Sequence, residues 1–190
     1  MALIGRLLKN RHAGDKYLAW NTSNLACENT FNLSSPAFED GQEIPLVHAS
    51  KRVGGRDLSP ALAWSEIPSG TEQLLLVIED IDAPMRLPFI HCVALIELSV
   101  NGLPEGALNA DNSSPEVRLL RSGMGRGYLG PAPIKGHGTH RYVFQLFALA
   151  KPVALPSDSS TLESAKPRQV LSAVTGILAR GRLDGLYERS

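Results

Sequence analysis

Short apolar runs bounded by turn-forming residues are the main pattern along this chain. They occur at 73–79 (QLLLVIE), 89–96 (FIHCVALI) and 141–149 (RYVFQLFAL), and each is typical of a buried strand. The shorter segment 61–64 after Pro60 predicts a fourth strand. The 17 Gly and 13 Pro favour many short elements over an all-helical bundle. The pattern therefore predicts a strand-rich chain.

One amphipathic helix is predicted near the C-terminal end. Pro167 suits a first helical turn, and Gly181 after Arg180 is a natural stop. Between them, apolar residues recur at helical spacing: Val170, Leu171, Val174, Ile177 and Leu178. Because no repeat or linker divides the sequence, we interpret residues 1–190 as a single domain.

The N-terminal end carries a second, shorter amphipathic pattern. Its apolar positions are Leu3, Ile4, Leu7 and Leu8, and its basic positions are Arg6, Lys9 and Arg11. We expect this stripe to dock on its own domain or on a second subunit, with contact to a membrane surface as the alternative. Arg6 and Lys9 interrupt any secretory apolar run, and no 18-residue apolar stretch follows, so a cytoplasmic location is predicted.

Charge excludes one class of function and suggests another. The 19 basic and 19 acidic groups balance, which argues against a protein that binds nucleic acid through excess Lys and Arg. Residues 117–157, however, contain six cations, two histidines and no carboxylate. Such a stretch is either a solvated loop face or a local anion site.

Several familiar motifs bear on the chemistry of this chain. Gly125, Gly127 and Gly130 match the spacing of a dinucleotide-binding loop, but Pro131 and Pro133 follow where a helix should begin. A glycine-rich loop for a smaller anion is the interpretation that remains. The common hydrolase, zinc-protease and nucleotidase signatures are absent, and Cys27 and Cys92 have no disulfide or zinc spacing.

A candidate metal centre could use carboxylate and imidazole ligands from Asp80, Asp82, His91 and His140. The carboxylates equally suit a turn cap before Pro84, and the histidines can hydrogen-bond within the fold. We therefore predict no metal and no other cofactor.

An ordered set of motifs carries a family resemblance. It comprises 80–84 (DIDAP) after a buried strand, His91 in the next strand, 130–133 (GPAP) and 138–144 (GTHRYVF). Further matching segments are 35–41 (SPAFEDG), 58–64 (LSPALAW) and 181–189 (GRLDGLYER). Together they resemble the phosphatidylethanolamine-binding protein family, particularly its small bacterial branch described as Raf kinase inhibitor-like. Residues 1–30 lie outside the resemblance as an N-terminal extension.

The resemblance implies a mainly β, sandwich-like fold. A large central antiparallel sheet would pack on a smaller sheet, with peripheral helices that include a C-terminal one. It also implies a small surface pocket for phosphate, acetate or a phosphoethanolamine head group. The family's pocket positions fall on Asp80, Asp82, His91, Gly130, Pro131, His140 and Tyr142. Two departures are Ile81, where the family usually has proline, and Cys92, where many relatives have an aromatic residue; strand alternation should turn Cys92 away from the pocket.

These residue types suggest how an anion would be held. Asp80 and Asp82 would favour protonated imidazoles at His91 and His140, which would then donate to the anion. The Tyr142 hydroxyl and backbone N–H groups near Gly130 would add donors. The two carboxylates would orient the imidazoles or receive the ammonium of a zwitterionic head group.

The leading functional hypothesis is an anion- or phospholigand-binding protein that acts as a regulator or inhibitor without catalysis. The alternative is a small hydrolase that uses the His/Asp pocket on a phosphorylated or acylated substrate. Expected partners are a small anion or phospholipid head group, an unidentified protein and, from the resemblance, a second copy of the chain.

Overall fold

The computed structural model of the protein describes residues 2–111, 114–156 and 161–189. Residues 1, 112–113, 157–160 and 190 lie outside these ranges. Along the described residues the helices and strands follow in the order α1 (Ala2–Leu8), β1 (Leu33–Ser34), β2 (Gln42–Glu43), β3 (Leu62–Trp64), β4 (Gln73–Asp80), β5 (Phe89–Ile96), β6 (Gly102–Leu103), β7 (Val117–Leu119), β8 (Thr139–Leu149), α2 (Pro167–Ala173) and β9 (Ile177–Glu188). One-turn 3-10 helices occur at Ala19–Asn21, Ser23–Leu25, Leu46–His48 and Lys51–Val53.

The strands form two sheets. The larger has the spatial order β2-β9-β8-β4-β5-β7, and the smaller has the order β1-β3-β6. Neighbours in both sheets are antiparallel except β2 and β9, which pair in parallel. The prediction of a mainly β fold with a large and a smaller sheet is therefore confirmed, and the larger sheet is mixed at one edge.

Alternation along β4 shows why the central strands are apolar throughout. Leu74, Leu76 and Ile78 belong to the core that includes Trp64 of the smaller sheet. The residues between them, Leu75 and Val77, belong to a second core that includes α2. Since successive side chains point to opposite faces, β4 is buried on both. The larger sheet is thus the middle of three layers.

The segment after α1 covers the second face of the larger sheet. Leu18, Ala19 and Leu25 are fully buried there. The Ala19 N–H donates to Oε2 of the buried Glu79 at 2.7 Å, and Arg168 of α2 lies 2.6 Å from Oε1 of the same carboxylate. Burial raises the pKa of Glu79, while the Arg168 guanidinium opposes that change. Glu79 therefore joins the sheet, the N-terminal segment and α2.

The apolar stripe of α1 faces solvent. Leu3, Ile4 and Leu7 are 71%, 55% and 76% exposed, so the expectation that this stripe docks on its own domain is wrong for these three residues. Among the residues that the structure describes, no helix has both the length and the apolar character needed to cross a membrane.

The predicted C-terminal helix is shorter than its apolar spacing suggests. α2 begins at Pro167 as expected but ends at Ala173, and Ile177 already belongs to β9. Gly176, with φ of +72°, makes the turn between them. Gly181 does not stop a helix; it lies within β9, where an added Cβ would come within 2.7 Å of the Phe31 ring. A close side-chain approach, and not helix termination, accounts for this glycine.

Candidate functional site

A pocket of about 460 Å³ lies at one end of the larger sheet, where β4, β5 and β8 meet. Asp80 at the end of β4 is the register partner of Tyr142 on β8. His140 lies two residues before Tyr142 and therefore faces the same side of the sheet. Together with His91 of β5 these residues line the pocket. Strand pairing thus brings together side chains that are far apart in sequence.

A β-bulge places His91 in the pocket. Ile78 pairs with Cys92 and Glu79 pairs with Ile90, so His91 is an extra residue without a partner on β4. Cys92 does not line the pocket, but it packs in the same core as Tyr142, so alternation is not the reason. Burial raises the pKa of Cys92 to about 12, which keeps its thiol protonated.

A row of hydrogen bonds leads from Asp80 to the N-terminal segment. Nδ1 of His140 lies 2.7 Å from Oδ2 of Asp80, and its Nε2 lies 2.7 Å from Nδ1 of His137. Nε2 of His137 in turn lies 2.9 Å from the carbonyl of Leu8 and 3.1 Å from that of Arg11. Asp80, His140 and His137, called the Asp–His–His cluster below, are all buried.

The hydrogen bonds of this cluster leave its polar atoms engaged. The carbonyl of Leu8 can only accept, so His137 donates from Nε2. Both carboxylate oxygens of Asp80 have partners, because Oδ1 also accepts the Asp82 N–H at 2.9 Å. Asp80 is thus satisfied inside the fold, and both nitrogens of His140 are occupied.

His91 differs from the imidazolium expected from its sequence context. Its Nδ1 lies 2.6 Å from the carbonyl of Leu129, so this nitrogen carries a proton and donates. Burial lowers the pKa of His91 more strongly than nearby Asp80 raises it. Burial therefore favours the neutral imidazole over the positively charged donor expected at His91, with Nε2 as the ring nitrogen left to face the pocket.

Tyr142 supplies an unpaired donor. Its side chain is 1% exposed, and its hydroxyl has no hydrogen-bond partner among the residues that the structure describes. Burial, with a further contribution from the Asp80 charge, raises the pKa of Tyr142 well above its ordinary value. The hydroxyl therefore keeps its proton. Its ring meets the His91 ring edge-on, with centroids 5.0 Å apart.

Asp82 is close to the pocket but does not line it. Its Oδ1 lies 3.2 Å from Nδ1 of His12, and its Oδ2 accepts the Arg141 N–H at 2.8 Å. Both oxygens contact the chain around the pocket, and the expected role of Asp82 at a ligand stays a prediction. Because Asp82 does not line the pocket and both nitrogens of His140 are occupied, the four candidate metal ligands do not converge on one point.

The glycine-proline segment also has a different role from the one expected. Gly130 lines the pocket, but its N–H donates to Oδ1 of Asp57 at 2.9 Å and is not available to an anion. Pro131 does not line the pocket; its carbonyl accepts the Ser50 N–H at 2.9 Å. Both residues hold the loop after Leu46–His48 against the segment 130–131 and thereby shape the pocket wall.

Three cations line the pocket: Lys51, Arg52 and Arg126. Arg126 belongs to the carboxylate-free stretch noticed in the sequence. Lys51 and Arg52 were not predicted, although a basic pair before Gly54 and Gly55 is a signal of a loop that could hold an anion. Asp57, also missed, adopts a left-handed φ of 53°.

Comparison with known proteins agrees with this architecture. The family model for phosphatidylethanolamine-binding protein matches residues 34–188. The UPF0098 protein of Aquifex aeolicus is 35% identical over 161 residues, covering 82% of this chain and 86% of that protein. A Mycobacterium tuberculosis protein named "Putative lipoprotein LppC" is 33% identical over 159 residues, covering 82% of this chain and 71% of its own.

Solved structures show the same fold. Escherichia coli YbcL, described as a new member of the mammalian PEBP family, aligns with a TM-score of 0.72 at 27% identity over 84% of this chain and 99% of its own. The PEBP homologue CT736 of Chlamydia trachomatis aligns with a TM-score of 0.69 at 29% identity, covering 86% and 100%. By the extent of the family match and the identity to these relatives, the chain belongs to the phosphatidylethanolamine-binding protein family.

Proposed function

We propose that this protein binds a small oxyanion or phosphorylated ligand, such as phosphate or a phospholipid head group, and acts through that binding as a regulator without catalysis. Membership in the family implies a ligand-binding, regulatory type of protein. The single observation that supports the ligand class most strongly is the buried Tyr142 hydroxyl, a donor without a partner among the described residues, in a pocket whose lining includes three cations. A buried unpaired donor costs free energy, which an oxyanion acceptor would recover.

The pocket offers several groups that suit an anion. Lys51, Arg52 and Arg126 line it, while Asp80 is hydrogen-bonded within the Asp–His–His cluster. Two further acids line it: Asp57, which already accepts the N–H groups of Gly130 and Lys51, and Asp111. A ligand phosphate would therefore meet three cations and one hydroxyl donor in a lining of mixed charge.

His91 gives the site a preference for ligands that bring a proton. Because burial lowers its pKa, Nε2 is an acceptor at neutral pH. The monoanion of a phosphomonoester carries one proton and can donate it to Nε2, whereas the dianion carries none and would have to be accompanied by proton uptake. We expect calorimetric binding of O-phosphoethanolamine near pH 7 to show proton uptake when buffers of different ionisation enthalpy are compared.

The hydroxyl is tested by titration calorimetry with inorganic phosphate and with O-phosphoethanolamine. Tyr142→Phe should weaken both affinities about tenfold or more, as expected for loss of a hydrogen bond to a charged group. Tyr17→Phe, at a 40% exposed tyrosine outside the pocket, is the matched control. Equal affinities for the wild type and Tyr142→Phe would refute the proposed role, and no binding by the wild type would refute the ligand class.

One observation favours the hydrolase alternative. His91 keeps a neutral Nε2 in the pocket, as a general base requires. His140 cannot take this role because both of its nitrogens are engaged, and the thiol of Cys92 is protonated and outside the pocket. Turnover of phosphoesters or acyl esters that is abolished in His91→Gln would establish the enzyme and overturn the proposal of binding without catalysis.

The protein partner and the location of the protein remain predictions. We propose a cytoplasmic protein, as its sequence suggests, and the name of the M. tuberculosis relative supplies the alternative of a lipid-anchored one. Cell fractionation distinguishes the two, and a pull-down from the same fractions would identify a regulated partner.

A further inference from the structure

The helix α1 buries a glycine and exposes its large apolar side chains, which is the opposite of an ordinary surface helix. Gly5 is buried, and a Cβ there would lie 2.2 Å from the carbonyl oxygen of Lys135, so only glycine permits this close contact. The large apolar residues Leu3, Ile4 and Leu7 are instead exposed. A surface helix normally buries its apolar stripe in its own domain. This arrangement indicates that the stripe meets something outside the fold.

The position of α1 is fixed by contacts made through its other side. His137 donates to the carbonyls of Leu8 and Arg11, and the Ala13 N–H donates to the carbonyl of Ala83 at 2.9 Å. These hydrogen bonds hold α1 and the segment after it against the domain, so little further ordering is needed when the helix binds.

Charge identifies the kind of surface that fits. Arg6, Lys9 and Arg11 are exposed on and after the helix, and the first acidic residue in the sequence is Asp15. Pairing of two such stripes in a dimer would bring like charges together. An anionic lipid surface, in contrast, accepts apolar side chains at its acyl boundary and attracts the cations with its phosphates.

We propose that α1 is a docking element for anionic lipid bilayers. Leu3, Ile4 and Leu7 insert at the boundary between head groups and acyl chains, while Arg6, Lys9 and Arg11 contact lipid phosphates. This surface is separate from the pocket and does not depend on the function proposed for it.

The experiment is co-sedimentation of the full chain with vesicles of phosphatidylcholine alone and of phosphatidylcholine mixed with phosphatidylglycerol. Binding is expected only to the mixed vesicles, and it should weaken as salt is raised. The double variant Leu3→Ser/Leu7→Ser should reduce the partition coefficient about tenfold or more, since each buried leucine contributes to insertion. Leu98→Ser, at a 43% exposed leucine remote in sequence from α1, is the matched control and should bind as the wild type does.

Four results would overturn this proposal, the last of them a competition by soluble ligand. The first is equal sedimentation with neutral and mixed vesicles, and the second is unchanged binding by Leu3→Ser/Leu7→Ser. The third is a wild-type dimer, measured by sedimentation equilibrium, that is lost in Leu3→Ser/Leu7→Ser while the wild type does not bind vesicles. The stripe would then be an interface between copies. Soluble O-phosphoethanolamine should not release the protein from vesicles, and release would assign membrane binding to the pocket instead.

Discussion

Two buried tyrosines line the same pocket, but only one has a partner for its hydroxyl. Tyr128 donates to the carbonyl of His48 at 3.1 Å, whereas Tyr142 has no partner among the described residues. Tyr142→Phe removes a donor whose burial costs about 1–3 kcal/mol, so we expect the ligand-free protein to gain about 1 kcal/mol of unfolding free energy. Tyr128→Phe removes a satisfied hydrogen bond and should lose about 1 kcal/mol.

Urea denaturation in phosphate-free buffer measures both changes. The two variants should differ by about 2 kcal/mol, and their melting temperatures should shift in opposite directions by roughly 2–4 °C for a chain of this size. Added phosphate should stabilise the wild type and Tyr128→Phe but have less effect on Tyr142→Phe, because a ligand stabilises in proportion to its affinity for the native state. If Tyr142→Phe is destabilised as much as Tyr128→Phe, its hydroxyl is already paired and the reasoning fails.

Three further predictions concern ionisable groups. The pKa of His91 is lowered in the folded state, so its contribution to stability should be complete above about pH 6.5. That contribution should be lost as pH falls below this value, because the unfolded chain gains the proton. His91→Gln should flatten this part of a stability–pH curve measured by urea unfolding. Arg168→Met should lower the unfolding free energy by about 3 kcal/mol at pH 8 and by less at pH 5, where Glu79 can protonate, and equal losses at the two pH values would contradict the ion pair. His137→Leu should accelerate hydrogen exchange of residues 2–11 about tenfold without affecting β4, as measured by mass spectrometry.

The sequence predicted the central strands well because they are buried on both sides. The apolar runs at 73–79, 89–96 and 141–149 coincide with β4, β5 and β8 to within two residues. The helix prediction failed beyond Ala173 because Val174, Ile177 and Leu178 fit helical spacing as well as strand spacing. The pairing of residues 177–188 with β8 distinguishes the two, and such long-range pairing is not visible in a local pattern.

The candidate site was predictable as a set of residues but not as a set of roles. The family resemblance named Asp80, His91, His140 and Tyr142, and the structure brings these four to one pocket. The resemblance could not show that His137 hydrogen-bonds to His140, because that contact depends on how the chain between these two sequence neighbours folds back. Nor could a strand pattern show the bulge at His91, because one extra residue changes the pairing without changing composition.

The parallel edge of the larger sheet has a consequence for the order of folding. Residues 42–43 pair with 185–186, and the pocket wall at 46–57 follows directly after β2. Contacts between segments so far apart in the chain form late, because loop closure opposes them. The bond between Asp57 and Gly130 should therefore be absent from the folding transition state. A pocket ligand would then slow unfolding while leaving the folding rate almost unchanged. Its effect would be a longer lifetime of the native state.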